Sequence, residues 1–284
     1  MTVNAKKVVL ITGASSGIGQ ASAQYLHQKG YQVYGTSRKA QREPSRNPTK
    51  VSQAERTAAF PMLQMDIDSD TSVKNGVNYI LKKEGHIDVV VNNAGFGIAG
   101  AVEDTSIKEA QDLFETNVWG ALRVLKAVLP IMRDQRSGHI VTMSSIGGRI
   151  AIPFQGLYSA GKFALEGMIE TLRMEVRRFG IHVVLIEPGD CCTQFTVNRC
   201  RTKASEHNQA YAQQCNTAVA VMEHDEMHGF APEKVARVLE RIIRNPAPRL
   251  RYAVASPPQK LALVLKKVLP ARLFEFLIMK YYKL

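Results

Sequence analysis

The chain is 284 residues long, with 37 Lys and Arg against 25 Asp and Glu, a formal net charge of +12. Hydrophobic residues make up 45% and charged residues 22%, ordinary values for a globular chain, so disorder throughout is excluded. Four cysteines over this length make no disulfide framework, no apolar run reaches the ~18 residues of a membrane span, and the N-terminal run from Val8 to Ile11 enters a glycine-rich turn rather than a cleavage site. The expectation is a soluble, cytoplasmic protein from a reducing compartment.

Lys7 to Thr12 reads as a short β-branched strand, and the residues from about Ile18 to Lys29 read as a helix that Gly30 ends. A second strand begins at Tyr31. Further strands are predicted at Met62 to Met65, Asp88 to Val91, His139 to Met143 and His182 to Ile186, with helical patterns between them. Strands alternating with helices imply an α/β fold with a parallel sheet covered on both faces, and nearly continuous apolar strands fit that burial. Three segments break the rhythm. Residues 38–60 are basic and polar, with Pro44 and Pro48; residues 190–230 form a long, partly helical excursion; residues 256–284 form a C-terminal extension. The domain expectation is a catalytic unit over 1–255, with 190–230 as substrate lid, followed by the extension.

Thr12, Gly13, Ala14, Ser15, Ser16, Gly17, Ile18 and Gly19 join the first strand to the first helix. Glycines let backbone approach a pyrophosphate, and a helix N-terminus offers free N–H groups and a positive dipole end. An ordinary tight turn is the competing reading; the place at a strand–helix junction points to dinucleotide binding. At the end of the second strand, where an acid would hold the ribose hydroxyls of NAD, the chain reads Ser37, Arg38, Lys39. A guanidinium is a bidentate phosphate ligand, so Arg38 with Ser37 suits the 2′-phosphate of NADP(H); the alternative is a pair of solvated loop charges.

Tyr158 and Lys162 stand at i and i+4, on one face of a helix. An ammonium beside a phenol favours the phenolate and brings the tyrosine into range for acid–base work. Ser145 lies thirteen residues earlier, just after a predicted strand.

Together these residues, with Asp66, Ile67, Asn92, Asn93, Ala94, Gly95, Asn117, Pro188, Gly189 and Thr193, resemble the short-chain dehydrogenase/reductase family over roughly residues 5–255. The resemblance implies a Rossmann-type doubly wound sheet of about seven strands. It also implies roles. Tyr158 is the acid/base, Lys162 lowers its pKa and holds the nicotinamide ribose, Ser145 rather than Ser144 binds the substrate oxygen, and Asn117 holds a water that relays protons to Lys162. Gly13, Ser15, Ser16, Gly17, Ile18 and Gly19 take the pyrophosphate. Asp66 and Ile67 bound the adenine, Asn93, Ala94 and Gly95 face the adenosine side, and Asn92 ties neighbouring strands. Pro188, Gly189, Cys191 and Thr193 cradle the nicotinamide. No metal is implied.

Lys162, Phe163, Ala164, Leu165, Glu166 and Gly167, Ile186 with Glu187, and Pro153 with Phe154 look like the type 1 17β-hydroxysteroid and retinol dehydrogenase branch. That implies an apolar alcohol or ketone substrate, steroid-, retinoid- or lipid-like, with a 3-oxoacyl-thioester reductase as alternative and a homodimer or homotetramer as assembly. Phe96, Ile98, Ile152, Phe154, Phe195 and Val197 are candidates for pocket or core. A non-catalytic NADP sensor on the same fold would need none of Ser145, Tyr158, Lys162 and Asn117. Nucleic-acid binding rests on charge alone and lacks interleaved aromatics, so no nucleic-acid partner is expected.

Several patterns are set aside. His224 and His228 are four apart, but the glutamate of H-E-x-x-H is misplaced. Adjacent Cys191 and Cys192 suit no unstrained disulfide. Asp66, Asp68 and Asp70 lack the glycine and terminal glutamate of a calcium loop; Asp68 or Ser69 is a helix N-cap instead. In the extension, Leu261, Val264, Leu265, Val268 and Leu269 predict an amphipathic helix that Pro270 stops, followed by an apolar stretch from Leu273 to Tyr282. Either this pair docks on the protein, or it rests as a basic segment peripheral to an anionic membrane. The charge is localised: residues 38–60 carry six Lys and Arg against two acids, and residues 231–284 carry twelve against three.

Overall fold

A computed structural model of the chain describes residues 6–39 and 60–284. Most of the basic stretch with Pro44 and Pro48 lies outside the described residues. Within them the chain runs β1 (Val8–Ile11), α1 (Gly17–Gln28), β2 (Gln32–Ser37), β3 (Met62–Gln64), α2 (Asp70–Glu84), β4 (Val89–Asn92), β5 (Ile98–Ala99), α3 (Ile107–Phe114), α4 (Ala121–Gln135), β6 (Gly138–Met143), α5 (Gly156–Val176) and β7 (Ile181–Pro188). It continues through β8 (Cys200–Arg201), α6 (Gln209–Met227), α7 (Glu233–Arg244), β9 (Arg251–Val254), α8 (Pro257–Val268) and α9 (Ala271–Tyr281).

Seven strands form one parallel sheet in the order β3-β2-β1-β4-β6-β7-β9, the doubly wound Rossmann arrangement. Its two faces follow from the period of two along each strand. Val8 and Leu10 of β1 face one core, with Val77 and Ile80 of α2, Val124 and Val128 of α4, and Ile169 of α5. Val9 and Ile11 face the other, with Leu26 of α1 and Leu239 and Ile242 of α7. All four residues of β1 are buried, which is why the strand reads as an unbroken apolar run rather than an alternating one. The six strands located in the sequence are all present; the seventh, β9, fell between the segments the sequence resolved.

The strand order reverses between β1 and β4. The carboxyl ends of β1, β4, β6 and β7 therefore open into a shared crevice, the place where ligands bind in such sheets. The 190–230 excursion carries α6 and the two-residue β8, which pairs with β5 in a separate small sheet. Ser69 caps α2, accepting from Ser72 N at 3.3 Å. The extension is a pair of helices, α8 and α9, with Leu269 as the C-cap of the first and Pro270 as the N-cap of the second. Among the described residues no helix is long and apolar enough to cross a membrane.

Beneath the crevice lies a buried ion network. Arg251 on β9 donates from Nε to Glu166 at 2.8 Å and lies 3.5 Å from Glu187, which is also paired with Arg149 at 2.9 Å. Glu166 and Glu187 are both almost fully buried. Arg251→Ala would strip Glu166 of its cation while Arg149 still serves Glu187. The expected cost is about 3 kcal/mol, at the low end for an unpaired buried charge, read from urea unfolding midpoints; a change within about 0.5 kcal/mol, typical of an ordinary surface site, would contradict it.

Candidate active site

The site starts from the glycine turn. Gly13 and Gly17 hold φ of +66° and +54°, left-handed values that favour glycine. A Cβ on Gly13 would stand 2.8 Å from Ala94 Cα, and one on Gly19 would stand 2.3 Å from the Gly13 carbonyl oxygen. The turn is therefore pressed against β4 and against the start of α1. Thr12 and Asn93 lock it there. Thr12 Oγ1 accepts from Asn93 N at 2.9 Å and Ala94 N at 3.1 Å, and Asn93 Nδ2 donates to the carbonyls of Thr12 at 2.9 Å and Gly13 at 3.2 Å. Gly13, Ser15, Ser16, Gly17 and Ile18 face a cavity of about 1460 Å³, whereas Gly19 packs behind the turn.

At the tip of β2, Ser37, Arg38 and Lys39 line the same cavity, and among the described residues Arg38 makes no ion pair. Ile67 lines it with Met65 and Asp68. Asp66 does not; its carboxylate accepts from Asp68 N at 3.1 Å. Asn93, Ala94 and Gly95 continue the wall, and Pro188, Gly189, Cys191 and Thr193 close it from β7. Burial pushes the Cys191 thiol up to about 12, so it stays a neutral thiol. The glycine cradle, the helix N-terminus and the cavity fit a nicotinamide dinucleotide.

Ser145, Tyr158 and Lys162 meet on the far side. Ser145 follows β6 and accepts from Gly147 N at 3.0 Å. Tyr158 and Lys162 lie on the inward face of α5, with Lys162 Nζ 5.8 Å from the Tyr158 ring centroid. Lys162 Nζ donates to the Met143 carbonyl at 2.8 Å. Burial pushes Tyr158 up to about 12, opposed by a hydrogen bond with Ser145, and burial pulls Lys162 down to about 8, opposed by Glu166. Contrary to the expectation from their spacing, the ammonium does not lower the phenol's pKa here. Desolvation dominates, because both groups leave water and the ammonium is spent on a carbonyl.

Asn117 is placed by an irregularity. After α3 the helix widens into a π turn, Glu115–Gly120. Asn117 Nδ2 donates to the Phe96 carbonyl at 2.8 Å and its Oδ1 accepts from Phe96 N at 3.0 Å. A Cβ on Gly95 would stand 2.9 Å from that Oδ1. Asn117 does not reach the large cavity. It borders a separate one of about 10 Å³ shared with Asn92, Thr142 and Lys162, near the room one water needs. Asn92 does not tie the strands through its side chain: its amide atoms, like the Thr142 hydroxyl, are buried without partners. These two residues were not singled out as ligands in the sequence, because nothing local marks a buried polar atom as unpaired.

Of the six pocket candidates, Phe96, Ile152 and Phe195 line the cavity, and the Phe195 ring lies 5.7 Å from that of Tyr158. Ile98 packs with Leu113 and Tyr158, Phe154 packs with Ala99, Cys215 and Val219, and Val197 is 86% exposed. The C-terminal extension docks on the protein, one of the two arrangements its pattern allowed. Ala262, Leu265, Phe274, Leu277 and Ile278 form an apolar wall of the same cavity. Polar contacts fasten this wall to the 190–230 excursion: Gln259 donates to Asp190, and Tyr281 Oη donates to Asp225 at 2.6 Å. Burial, with repulsion from Asp225 and Glu226, pushes Asp190 up to about 7. The His224 and His228 rings lie against one another at a 40° tilt, with centroids 4.3 Å apart.

The sequence pattern of the short chain dehydrogenase family matches residues 7–204. A 3-ketodihydrosphingosine reductase of Bacteroides thetaiotaomicron is 40% identical over 276 residues, 97% of this chain and 98% of the relative. Retinol dehydrogenase 8 of Bos taurus is 35% identical over 257 residues, 87% of this chain and 81% of the relative. A crystal structure of a short-chain dehydrogenase from Streptomyces avermitilis superimposes with a TM-score of 0.76 at 29% identity, over 99% of this chain and 97% of that one.

Proposed function

The chain belongs to the short-chain dehydrogenase family, an oxidoreductase of CH–OH groups, and we propose that it is an NADPH-dependent reductase of apolar ketones, with a long-chain sphingoid ketone as the leading substrate. The observation that carries this reading is the meeting of Ser145, Tyr158 and Lys162 with an apolar wall from α8 and α9 in one cavity. The near end-to-end match to a 3-ketodihydrosphingosine reductase favours the long-chain substrate over a steroid or retinoid. The domain reading is a single catalytic unit over 1–255 whose cavity the extension completes. A homodimer or homotetramer is supported by Trp119 in the π turn and Phe163 on α5, both exposed on the outer side of these helices.

The nicotinamide, when bound, supplies the hydride. The residues of the chain handle the oxygen. Ser145 and Tyr158 hold the carbonyl oxygen between two hydroxyls. Tyr158 gives it the phenol proton as charge develops, and Lys162 holds the ribose and returns the proton. A water in the cavity beside Asn92, Asn117 and Thr142 would supply Lys162. A phenol held near 12 is fully protonated at neutral pH, which suits reduction rather than alcohol oxidation.

The pH dependence follows. Reduction needs Tyr158 protonated and Lys162 cationic, so the rate is retained at low pH and lost as pH rises through the lower of the two values, about 8. The profile of kcat/KM for reduction reads the free enzyme; a rate undiminished well above that value would remove Lys162 from the proton path. Substrate class is tested by comparing NADPH consumption with a long-chain 3-keto sphingoid base, retinaldehyde, a 17-ketosteroid and a 3-oxoacyl thioester. The sphingoid ketone is expected to give the highest kcat/KM. A preference for the thioester would replace the proposed substrate with the acyl-reductase alternative.

A further inference from the structure

The two C-terminal helices have two apolar faces, and the cavity uses only one of them. Ala262 and Leu265 of α8 and Phe274 and Ile278 of α9 look inward. Leu261, Val264 and Val268 of α8, at i, i+3 and i+7, and Leu273, Phe276 and Met279 of α9, at i, i+3 and i+6, do not line the cavity. All six are exposed, Val268 by 67% and Phe276 by 60%. Eight of the sixteen large exposed hydrophobic residues among the described ones fall between residues 261 and 281. Scattered exposed apolar residues are ordinary, but a concentration of this kind marks an interaction surface.

Charge identifies the partner. Residues 256–284 carry six Lys and Arg and a single acid, Glu275. Lys260, Lys267, Arg272, Lys280 and Lys283 are exposed beside the apolar stripe, and among the described residues none of them is ion-paired. A second copy of the chain seated on this face would bring two strongly cationic surfaces together. An anionic lipid headgroup layer is complementary to the lysines, and its acyl boundary accepts the leucines, valines and phenylalanine.

We propose that the outer face of α8 and α9 docks the protein on an anionic lipid surface, with the inner face of the same helices as the wall of the substrate cavity. An apolar substrate dissolved in the lipid layer then meets the cavity at the docked edge; this last clause rests on the apolar-substrate reading, whereas docking itself does not.

The test uses the full chain without substrate or cofactor. Co-sedimentation is measured with vesicles of equal parts phosphatidylglycerol and phosphatidylcholine, and with phosphatidylcholine alone. Two double variants are compared, Val264→Asp with Val268→Asp, and Lys260→Glu with Lys267→Glu. None of these four residues lines the cavity and all are exposed, so each variant should keep the wild-type far-UV circular dichroism spectrum and thermal midpoint, which report that it is folded. The wild type should partition onto the anionic vesicles, less so in high salt, and each double variant should lower the partition coefficient by about tenfold or more. A wild type that stays in the supernatant at low salt, folded variants that bind as well as wild type, or an oligomer in sedimentation velocity that both variants dissolve would each overturn the proposal.

Discussion

Tyr158→Phe should lower turnover by roughly 10²–10⁴-fold, the range for loss of a positioned proton donor, while NADPH binds about as tightly as to the wild type. The phenylalanine ring keeps the volume of the tyrosine and its contact with Phe195, whose centroid lies 5.7 Å away. What disappears is the hydroxyl that pairs with Ser145. On the proposed reading most cofactor contacts lie at the glycine turn and beyond the tips of β2 and β7, which this substitution leaves in place, so binding and turnover should separate in this variant. Fluorescence titration of NADPH reads the first and a ketone-dependent rate reads the second. Turnover near the wild-type rate would remove Tyr158 from the proton transfer; equal loss of both would point to a folding defect instead.

The second large effect is expected at Arg38. Arg38 lines the cavity at the end of β2, beside Ser37 and Lys39, where a carboxylate would otherwise stand for the ribose hydroxyls of NAD. On the proposed NADPH reading, Arg38→Asp removes a charge-assisted phosphate ligand and installs repulsion against the 2′-phosphate. The ratio of NADPH to NADH affinity should fall by roughly one hundredfold, from the loss of about two charge-assisted hydrogen bonds. Dissociation constants for the two reduced cofactors, measured on both proteins, give that ratio. A wild type that prefers NADH, or a variant with an unchanged ratio, would make Arg38 a solvated loop charge.

The parts of this site that were legible in the sequence are those whose geometry is local. Tyr158 and Lys162 share a helix face because they are four apart, and Gly13 and Gly17 sit where a strand meets a helix. The parts that were not legible depend on long-range packing. The strand β9 is four residues long and lies at the sheet edge beside β7, so its period gives little signal. The stripe of Leu261, Val264 and Val268 announces a helix, but periodicity does not tell which face the fold covers. The structure splits the predicted stripe: Leu261, Val264 and Val268 turn outward, whereas Leu265 joins Ala262 on the cavity side. The pKa of Tyr158 is set by depth of burial more than by its neighbour in sequence, which spacing alone does not reveal. Likewise Asn92 and Thr142 become interesting only once their side chains are seen to be buried without partners. The phrases around Glu166 and Glu187, read first as marks of a branch, acquire a physical reason in Arg251, which joins them across the sheet.

Hydride reduction of an apolar ketone is proposed for the cavity that Tyr158 and the C-terminal helices share. Its most direct test uses NADPH carrying deuterium in the transferable position of the nicotinamide, incubated with the full-length protein and a long-chain 3-keto sphingoid base. The expected product is an alcohol bearing the label on its carbinol carbon, formed at a rate that Tyr158→Phe suppresses. Recovery of the labelled cofactor and the ketone unchanged, with NADPH nevertheless bound, would contradict it.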